Sequence, residues 1–326
     1  MTAGHFRRVF GFVALLAMLV GTAPGHAQAP YPSRIIKLVV GFAAGGGNDI
    51  MARIIAQKLQ DDLGQTVIVE NRPGASGALA AEYVKRAAPD GYTLLVGASG
   101  AMTVIPAISV NPPYHGTKDF TPISMMAAFP LILAVKADNP AKDVQELIAW
   151  MKANPDKSNY ATSSSAFTLA TELFKLRTGA PGTAIPYKSS NESLLSVIGG
   201  QSLLTIADPP PTAPQVKGGQ VRALAVLDDK RLEDLPDVPT MREAGVPDLN
   251  VSLWSGVFGP ANLPREIAKT LETEMMKIMR MDDVKDKFKK MATPTVGSTA
   301  ADFARIIDRQ TKTWVEVGRE ANVKLE

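Results

Sequence analysis

Backbone amides that follow predicted strands are the groups in this sequence best suited to chemistry, and that chemistry is anion binding. The apolar run Ile35–Val40 predicts a buried strand, and the glycine-rich segment 41–47 follows it directly. Asn48 and Asp49 then suit the first turn of a helix. Amides at such a turn face the positive end of the helix dipole and bind carboxylate or phosphate. A tight structural turn would explain the same residues equally well.

The spacing of this loop excludes two kinds of nucleotide site. A P-loop needs Lys-Ser or Lys-Thr where the chain has Asn48-Asp49. A dinucleotide site needs the pattern Gly-x-Gly-x-x-Gly, whereas Gly45-Gly46-Gly47 is followed by Asn48-Asp49-Ile50. The loop therefore indicates an anion without indicating a nucleotide.

A second candidate anion site is the segment Thr162-Ser163-Ser164-Ser165. It follows the predicted strand Asn159–Ala161 and precedes a helix predicted near 166–177. Ordinary helix capping is the simpler explanation for these hydroxyls. However, two such turns at the carboxyl ends of strands, one in each of two domains, would face each other across a cleft. This pairing favours ligand binding at both turns.

Catalysis by common side-chain chemistries is disfavoured. The chain has no cysteine, which excludes disulfides and thiolate chemistry, and it has three histidines. No metal-ligand cluster occurs, and we expect neither a metal nor a cofactor. Ser76 and Ser99 lie between glycines but do not form Gly-x-Ser-x-Gly, and a catalytic triad would have to use His115. We therefore expect that the protein is not an enzyme, and keep a hydrolase of a small ester or amide as an alternative.

The N-terminal residues are typical of a cleaved signal peptide. Arg7 and Arg8 precede an apolar run, and small residues end at Ala27, after which we expect cleavage. The full chain has 35 basic and 32 acidic residues, so removing residues 1–27 leaves 33 against 32, a net charge of +1. This balance offers no electrostatic basis for nucleic-acid binding. We expect a periplasmic protein.

The pattern of elements predicts an α/β fold with two domains. Strand, helix, strand, helix and strand alternate in about the first sixty residues of the mature chain, which implies parallel pairing with right-handed crossovers. The segment Ile123–Val135 is long enough for a strand that runs from one domain into the other, and Val251–Phe258 is strand-like again. Three helices are predicted near 264–280, 283–291 and 300–321. The run Pro209-Pro210-Pro211 is interpreted as a stiff turn.

Short motifs occur in order along essentially the whole mature chain. They are Tyr31-Pro32-Ser33-Arg34, Phe42-x-Ala44-Gly45-Gly46, Leu63-Gly64-Gln65, Val69–Ala75 (VENRPGA), Ala88–Leu94 (APDGYTL), Lys118-Asp119-Phe120, Asn159-Tyr160-Ala161, Glu172-Leu173-Phe174, Pro186-Tyr187-Lys188, Gly218–Val226 (GGQVRALAV), Leu235–Thr240 (LPDVPT), Glu243-Ala244-Gly245 and Trp254-Ser255-Gly256. This series resembles the Bug family, the extracytoplasmic solute receptors of tripartite tricarboxylate transporters.

The resemblance implies a periplasmic-binding-protein type II fold, in which two α/β lobes joined by two crossing strands close around a ligand cleft. Lobe 1 would hold residues 28–127 and 253–326, and lobe 2 would hold residues 128–252. It also implies that a monomeric receptor captures a small carboxylate, such as a dicarboxylate, tricarboxylate, aromatic acid or acidic amino acid. The receptor would then deliver the ligand to membrane permease subunits.

The candidate ligand-binding residues are those of the turns that follow the predicted strands. One carboxylate would bind the amides of the segment from Phe42 through Ala43, Ala44, Gly45 and Gly46 to Gly47, with Ser99 and Gly100 at the same end. The distal polar end would bind Thr162, Ser163, Ser164 and Ser165 together with the amide of Tyr187 or Lys188. Asp208 is a candidate acceptor for a ligand hydroxyl or amine, and equally a turn-starting residue before prolines. Phe42 and Trp254 are candidate apolar walls.

Departures from the family pattern fall at these turns. Many relatives carry proline at the positions of Ile35, Gly41 and Ala43, and Lys188-Ser189-Ser190 stands where Lys-Gly-Gly is common. The ligand of a relative therefore cannot be assigned to this chain. A protein-docking module without a small ligand stays open as a further alternative.

Overall fold

Two five-stranded sheets with their helices make up the part of the chain that the structure describes. The computed structural model describes residues 30–320. The predicted signal peptide, residues 1–27, therefore lies outside the described residues. The strands are β1 Ile36–Val40, β2 Val67–Asn71, β3 Thr93–Ala98, β4 Phe120–Pro130, β5 Ile132–Lys136, β6 Asn159–Thr162, β7 Thr183–Pro186, β8 Leu204–Ala207, β9 Val221–Val226 and β10 Ser252–Pro260. Both sheets belong to one compact unit that begins at Arg34.

The first sheet has the order β2-β1-β3-β10-β4. Strand β1 pairs in parallel with β2 and β3, as the alternation of strands and helices predicts. Strand β10 is antiparallel to both β3 and β4. The parallel pairing places the carboxyl ends of β1 and β3, at Val40 and Ala98, along one edge of the sheet.

The second sheet has the order β7-β6-β8-β5-β9. Strand β6 is parallel to β7 and β8, whereas β5 is antiparallel to β8 and β9. The carboxyl ends of β6, β7 and β8 consequently share one edge of this sheet. We call the first sheet with its helices lobe 1 and the second sheet with its helices lobe 2.

Helices follow most of the parallel strands. They are α1 Gly47–Leu63, α2 Ala78–Lys85, α3 Ile105–Ile108, α4 Val144–Ala153, α5 Ser165–Thr178, α6 Ser190–Ile198, α7 Pro209–Lys217, α8 Arg265–Ile278, α9 Asp282–Lys290 and α10 Ala300–Glu320. Within the described residues, none of these helices is long and apolar enough to cross a membrane.

The first connection between the lobes is strand-like, as expected, but it is interrupted. The predicted strand Ile123–Val135 is split at Leu131 into β4, which lies in the first sheet, and β5, which lies in the second. The return connection runs from β9 through residues 227–251 into β10, which confirms the second predicted strand.

The core of lobe 1 is aromatic. The ring centroids of Trp254 and Phe303 lie 4.9 Å apart, and those of Phe258 and Phe303 also lie 4.9 Å apart. All three rings are almost fully buried, and Ile307 joins the same cluster. Since fully burying one large apolar side chain contributes about 1.5–3 kcal/mol, this cluster fixes α10 firmly against β10.

The structure corrects the interpretation of the triple proline. Pro209-Pro210-Pro211 does not form a turn but opens α7, with Asp208 in the position before the helix. Proline is tolerated in the first turn of a helix because the amides there have no partner within the helix. As a consequence, Asp208 stands at the junction of β8 and α7 with an extended backbone.

Candidate ligand-binding site

The loops at the carboxyl ends of strands from both sheets surround one cavity. Its volume is about 20 Å³, which is room for about one water molecule. The lining residues are Phe42, Gly46, Gly47, Asn48, Ala98, Ser99, Gly100, Phe129, Ser163, Ser164, Ala166, Phe167, Ser190, Asp208, Leu253 and Trp254. We call this space the inner cavity. Loops from lobe 1 and lobe 2 both reach it, as the candidate site requires.

The loop before α1 is held in place by a buried acid. The Oδ2 atom of Asp49 accepts hydrogen bonds from the Gly45 amide at 2.9 Å and from Nε of Arg53 at 3.0 Å. Asn71 donates to Asp49 Oδ1 at 2.9 Å and to the Phe42 carbonyl at 3.0 Å. Burial raises the pKa of Asp49, but these hydrogen bonds outweigh burial and lower it overall. The loop is therefore a rigid, preformed turn.

The same loop offers fewer free amides than the sequence suggests. The Ala43 amide donates to the Lys188 carbonyl at 3.1 Å, and the Gly47 amide donates to Ser190 Oγ at 3.4 Å. Gly45 donates to Asp49, as described above, and the Gly46 amide contacts the Ala43 carbonyl at 3.5 Å. The expectation of bare amides along this loop is wrong for these four residues, because acceptors from lobe 2, from α1 and from the loop itself occupy them.

The turn after β3 packs closely against lobe 2. Ser99 Oγ accepts a hydrogen bond from the Trp254 amide at 3.3 Å, and residues 100–104 form a π-helical turn. The Gly100 carbonyl accepts a hydrogen bond from Ser165 Oγ at 3.2 Å. A Cβ atom on Gly100 would lie 3.1 Å from the Cβ of Ala166, so glycine permits this close approach.

Three of the four hydroxyls in the segment 162–165 have protein partners. Ser164 caps α5 by accepting a hydrogen bond from the Phe167 amide at 3.3 Å, and Thr162 pairs with Thr168 at 3.0 Å. Ser165 donates to Gly100, as described above. Ser163 Oγ is buried and has no hydrogen-bond partner within residues 30–320. Capping therefore explains Ser164, whereas the Ser163 hydroxyl is left for a ligand or water.

The amides of Tyr187 and Lys188 are not available in this structure. The Tyr187 amide donates to the Thr162 carbonyl at 2.8 Å, and the Lys188 amide donates to Glu192 Oε2 at 3.1 Å. A strand pairing and a helix-entry contact use these amides, so the expectation that one of them binds the ligand stays a prediction that requires these contacts to rearrange. Their side chains still border the cleft.

Asp208 lines the inner cavity and faces Gly47 of lobe 1. A Cβ atom on Gly47 would lie 1.8 Å from Asp208 Oδ2, which shows how closely this carboxyl group approaches the start of α1. The side chain is 2% exposed, and its Oδ1 atom has no hydrogen-bond partner in the described part of the chain. Burial raises the pKa of Asp208 to about 6, and hydrogen bonds from Ser190 and the Asp208 amide lower it only in part.

A larger space adjoins the inner cavity. It has a volume of about 370 Å³ and is lined by the turn 74–77, by residues 162–164 and Thr168, and by residues 186–188. We call this space the outer chamber. It shares Phe42, Ser163 and Ser164 with the inner cavity. Ala75 and Ser76 have positive φ angles of 47° and 54°, so the turn exposes its backbone in an unusual conformation.

Several lining residues were not among the sequence-based candidates. Ser190 and Asn48 are buried at the inner cavity, where Asn48 Oδ1 accepts a hydrogen bond from Ser255 Oγ at 2.6 Å. The turn 74–77 lines the outer chamber. The sequence does contain a signal for Ser190, because Lys188-Ser189-Ser190 stands where relatives commonly have Lys-Gly-Gly.

A third pocket lies away from these loops. It has a volume of about 540 Å³ and is lined by residues 231–234, by α9 and by residues 292–295. Its basic side chains already have acidic partners: Arg231 pairs with Glu243, and Lys289 pairs with Glu233. This pocket is therefore less suited to a carboxylate than the cleft.

The residues of a hydrolase are not assembled. His115 is exposed, and its ring contacts Thr117 rather than Ser76 or Ser99. Among residues 30–320, no group of three or more acidic residues or histidines is placed to hold a metal ion. The described arrangement is that of a binding cleft with two facing lobes.

Comparison with known proteins decides the family. The family model described as "Tripartite tricarboxylate transporter family receptor" matches residues 51–323. The chain belongs to this receptor family. Within the family, the chain is 33% identical to protein BugT of Bordetella pertussis over 326 residues, which cover 99% of this chain and 100% of BugT.

Similar solved structures confirm the periplasmic-binding-protein fold, among them the periplasmic binding protein BugD, with 30% identity and a TM-score of 0.87, covering 91% of this chain and 100% of BugD. R. palustris Rpa4515 with adipate has 34% sequence identity and a TM-score of 0.87, covering 90% of this chain and 99% of that protein. MatC from Rhodopseudomonas palustris with bound malate has 29% identity and a TM-score of 0.85, covering 88% of this chain and 99% of MatC. The two-sheet receptor fold and the assignment to solute receptors, predicted from the sequence motifs, are thus confirmed.

Proposed function

We propose that this receptor binds a small carboxylate between its lobes and delivers it to the permease subunits of a tripartite tricarboxylate transporter in the membrane. The convergence of loops from both lobes on the inner cavity carries this proposal. The acids bound to Rpa4515 and MatC support a small carboxylate as the ligand. The protein acts in the periplasm, as a solute receptor without catalysis.

The division into lobes assigns a role to each part of the chain. In this proposal lobe 1 comprises residues 28–127 and 253–326, and lobe 2 comprises residues 128–252. The division by sheets differs at residues 128–130 and at Ser252, since these belong to β4 and β10 of the first sheet. The lobes hold the ligand through the loops after β1, β3, β6, β7 and β8. In the structure, direct hydrogen bonds such as that from Ser165 to Gly100 already join the lobes.

Ligand entry requires the lobes to separate. An inner cavity of about 20 Å³ holds about one water molecule and cannot admit a dicarboxylate. The hydrogen bonds from Ala43 to Lys188 and from Gly47 to Ser190 must break or rearrange when the ligand enters. A ligand that contacts both lobes then shifts the equilibrium toward the closed form by its differential affinity.

A thermal-shift screen of the purified chain tests this function. We expect one or more di- or tricarboxylates, aromatic acids or acidic amino acids to raise the melting temperature, since a ligand at one hundred times its dissociation constant adds about 2.7 kcal/mol of stability. The protein is first unfolded and refolded to remove any ligand that co-purified. Flat melting curves across the panel would contradict a carboxylate receptor and favour a docking module.

Two serine variants locate the site. Ser163 and Ser193 both bury a hydroxyl that has no partner among the described residues, but only Ser163 lines the cleft. We expect Ser163→Ala to weaken the thermal shift caused by the best ligand and Ser193→Ala to leave it unchanged. Equal effects of both substitutions would show that the ligand binds elsewhere.

A further inference from the structure

The cleft is divided into two compartments with opposite charge. Asp208 is the one charged side chain among the residues that line the inner cavity, and Lys188 is the one charged side chain among those that line the outer chamber. Phe42, Ser163 and Ser164 lie at the boundary, because they line both spaces. A ligand that spans the boundary therefore meets a carboxyl group at one end and an ammonium group at the other.

The inner end of the cleft already holds a carboxyl group of the protein. Asp208 Oδ2 lies so close to Gly47 that even a methyl group does not fit between them. Asp208 thus occupies the position at the start of α1 where an anionic ligand would otherwise benefit from the helix dipole. A ligand carboxylate placed in the inner cavity would face this like charge in a buried setting.

Asp208 Oδ1 is positioned to accept a hydrogen bond from a donor group of the ligand. Its Oδ1 atom is buried and has no hydrogen-bond partner within the described residues. An ionised carboxylate accepts hydrogen bonds but donates none. A buried acceptor without a partner is costly, so a hydroxyl or ammonium group of the ligand at this position gains a hydrogen bond that water otherwise supplies.

The outer chamber provides the opposite chemistry. The Ser163 hydroxyl, buried and without a partner among residues 30–320, is available to donate to an anion. It lies just before α5, whose N-terminus favours negative charge. The Lys188 ammonium forms no ion pair within the part of the chain that the structure describes, and its side chain borders the same chamber. The volume of about 370 Å³ falls in the range of small-ligand sites.

We infer that the ligand lies across Phe42, with its carboxylate in the outer chamber near Ser163 and Lys188 and with a hydroxyl or ammonium group hydrogen-bonded to Asp208 in the inner cavity. This inference rests on the proposed function and narrows the ligand to hydroxy- and amino-carboxylates. It reverses the expectation that the loop 42–47 receives the carboxylate. Asp208 is then the residue that selects the ligand's inner end.

Isothermal titration calorimetry at pH 7.5 with matched acids tests the inference. The probes are three-, four- and five-carbon acids that end in a methyl, hydroxyl, ammonium or second carboxylate group. For the best chain length, we expect the hydroxyl or ammonium form to bind at least tenfold more tightly than the methyl form and the diacid. This ligand series does not depend on any variant.

Variants paired with controls of the same charge test which end of the ligand Asp208 and Lys188 contact. We expect Asp208→Asn to reduce the preference for the hydroxyl or ammonium form over the diacid at least tenfold, whereas Asp156→Asn, an exposed residue of lobe 2, leaves that preference intact. Lys188→Gln should weaken the binding of all the acids by a similar factor of about three to ten. Lys142→Gln, also exposed in lobe 2, should leave their binding unchanged. Circular dichroism confirms that each variant is folded.

Failure of the inference differs from failure of the proposed function. If diacids bind more tightly than the hydroxyl and ammonium forms, or if Asp208→Asn leaves the preference for these forms over the diacid unchanged, Asp208 does not select a donor and the inference is wrong. The receptor function then still stands, because a carboxylate binds. If no acid in the series binds at all, both the proposed function and the inference are contradicted.

Discussion

The close approach of Gly47 to Asp208 predicts that one methyl group opens the protein. Gly47 begins α1 in lobe 1, and Asp208 follows β8 in lobe 2. In Gly47→Ala, the new Cβ would lie 1.8 Å from Asp208 Oδ2 and 2.9 Å from its Cγ, so the closed arrangement cannot form without movement. When the lobes are apart, the same methyl group meets no atom of lobe 2.

The magnitude follows from the cost of overpacking. Inserting a methyl group into a tightly packed site costs about 1–3 kcal/mol. The gain in helix propensity on replacing glycine by alanine, up to about 1 kcal/mol, is the same in open and closed forms and cancels. The closed form should therefore lose about 5- to 150-fold in population relative to the open form.

Distance measurement by pulsed electron resonance detects this shift. The chain has no cysteine, so Ile68→Cys on β2 and Leu195→Cys on α6, both exposed positions, give one spin label in each lobe. We expect the ligand-free protein with Gly47→Ala to show longer distances than the protein with Gly47 intact. Gly182→Ala is the control, because its Cβ would meet atoms no closer than 3.6 Å.

Removing the obstructing carboxyl group should reverse the effect. In the double variant Gly47→Ala with Asp208→Ala, the two atoms nearest the new methyl group are absent, and we expect the shorter distances to return. Unchanged distances in Gly47→Ala, or a double variant that stays open, would refute the idea that this contact limits closure.

Three further predictions concern stability and chemistry. Burial raises the pKa of Asp208 to about 6, above its value of 3.8 when exposed, so the native state holds an extra proton between these pH values. The contribution of Asp208 to the free energy of unfolding should fall by about 3 kcal/mol as pH rises from about 4 to 7.5, measured in urea as the difference between the native chain and Asp208→Asn at each pH. Asn71→Ala removes the hydrogen bonds that Asn71 Nδ2 donates to the Phe42 carbonyl and to Asp49 Oδ1. This loss should lower the free energy of unfolding in urea by about 1–3 kcal/mol. His115→Ala should leave the ligand-induced thermal shift unchanged, and hydrolysis of a small ester or amide by the native chain that this variant loses would support the hydrolase alternative.

The fold could be predicted from the sequence because its signals are local or ordered along the chain. Ile36–Val40 and Thr93–Ala98 are short apolar runs followed by turn residues, and their alternation with helices predicts parallel pairing. The triple proline was misread because proline suits both stiff turns and the first turn of a helix. Only the packing of α7 decides between the two.

The meeting of the candidate loops at one cavity could be predicted from the sequence, but the hydrogen bonds of their amides could not. The loops at 42–47, 99–100 and 162–165 do reach the inner cavity. Which amides are free depends on the facing lobe, and no periodicity in the sequence reports the contacts from Ala43 to Lys188 or from Gly47 to Ser190. The charge division between Asp208 and Lys188 likewise emerges only when both lobes are placed together.

A crystal structure of the protein with its tightest carboxylate ligand tests the central claim most directly. We predict ligand density between the lobes, in contact with loops that follow strands of both sheets, and with the Gly47–Ser190 hydrogen bond rearranged. Density in the pocket lined by Arg231 and Lys289, or contact with one lobe alone, would contradict binding by lobe closure.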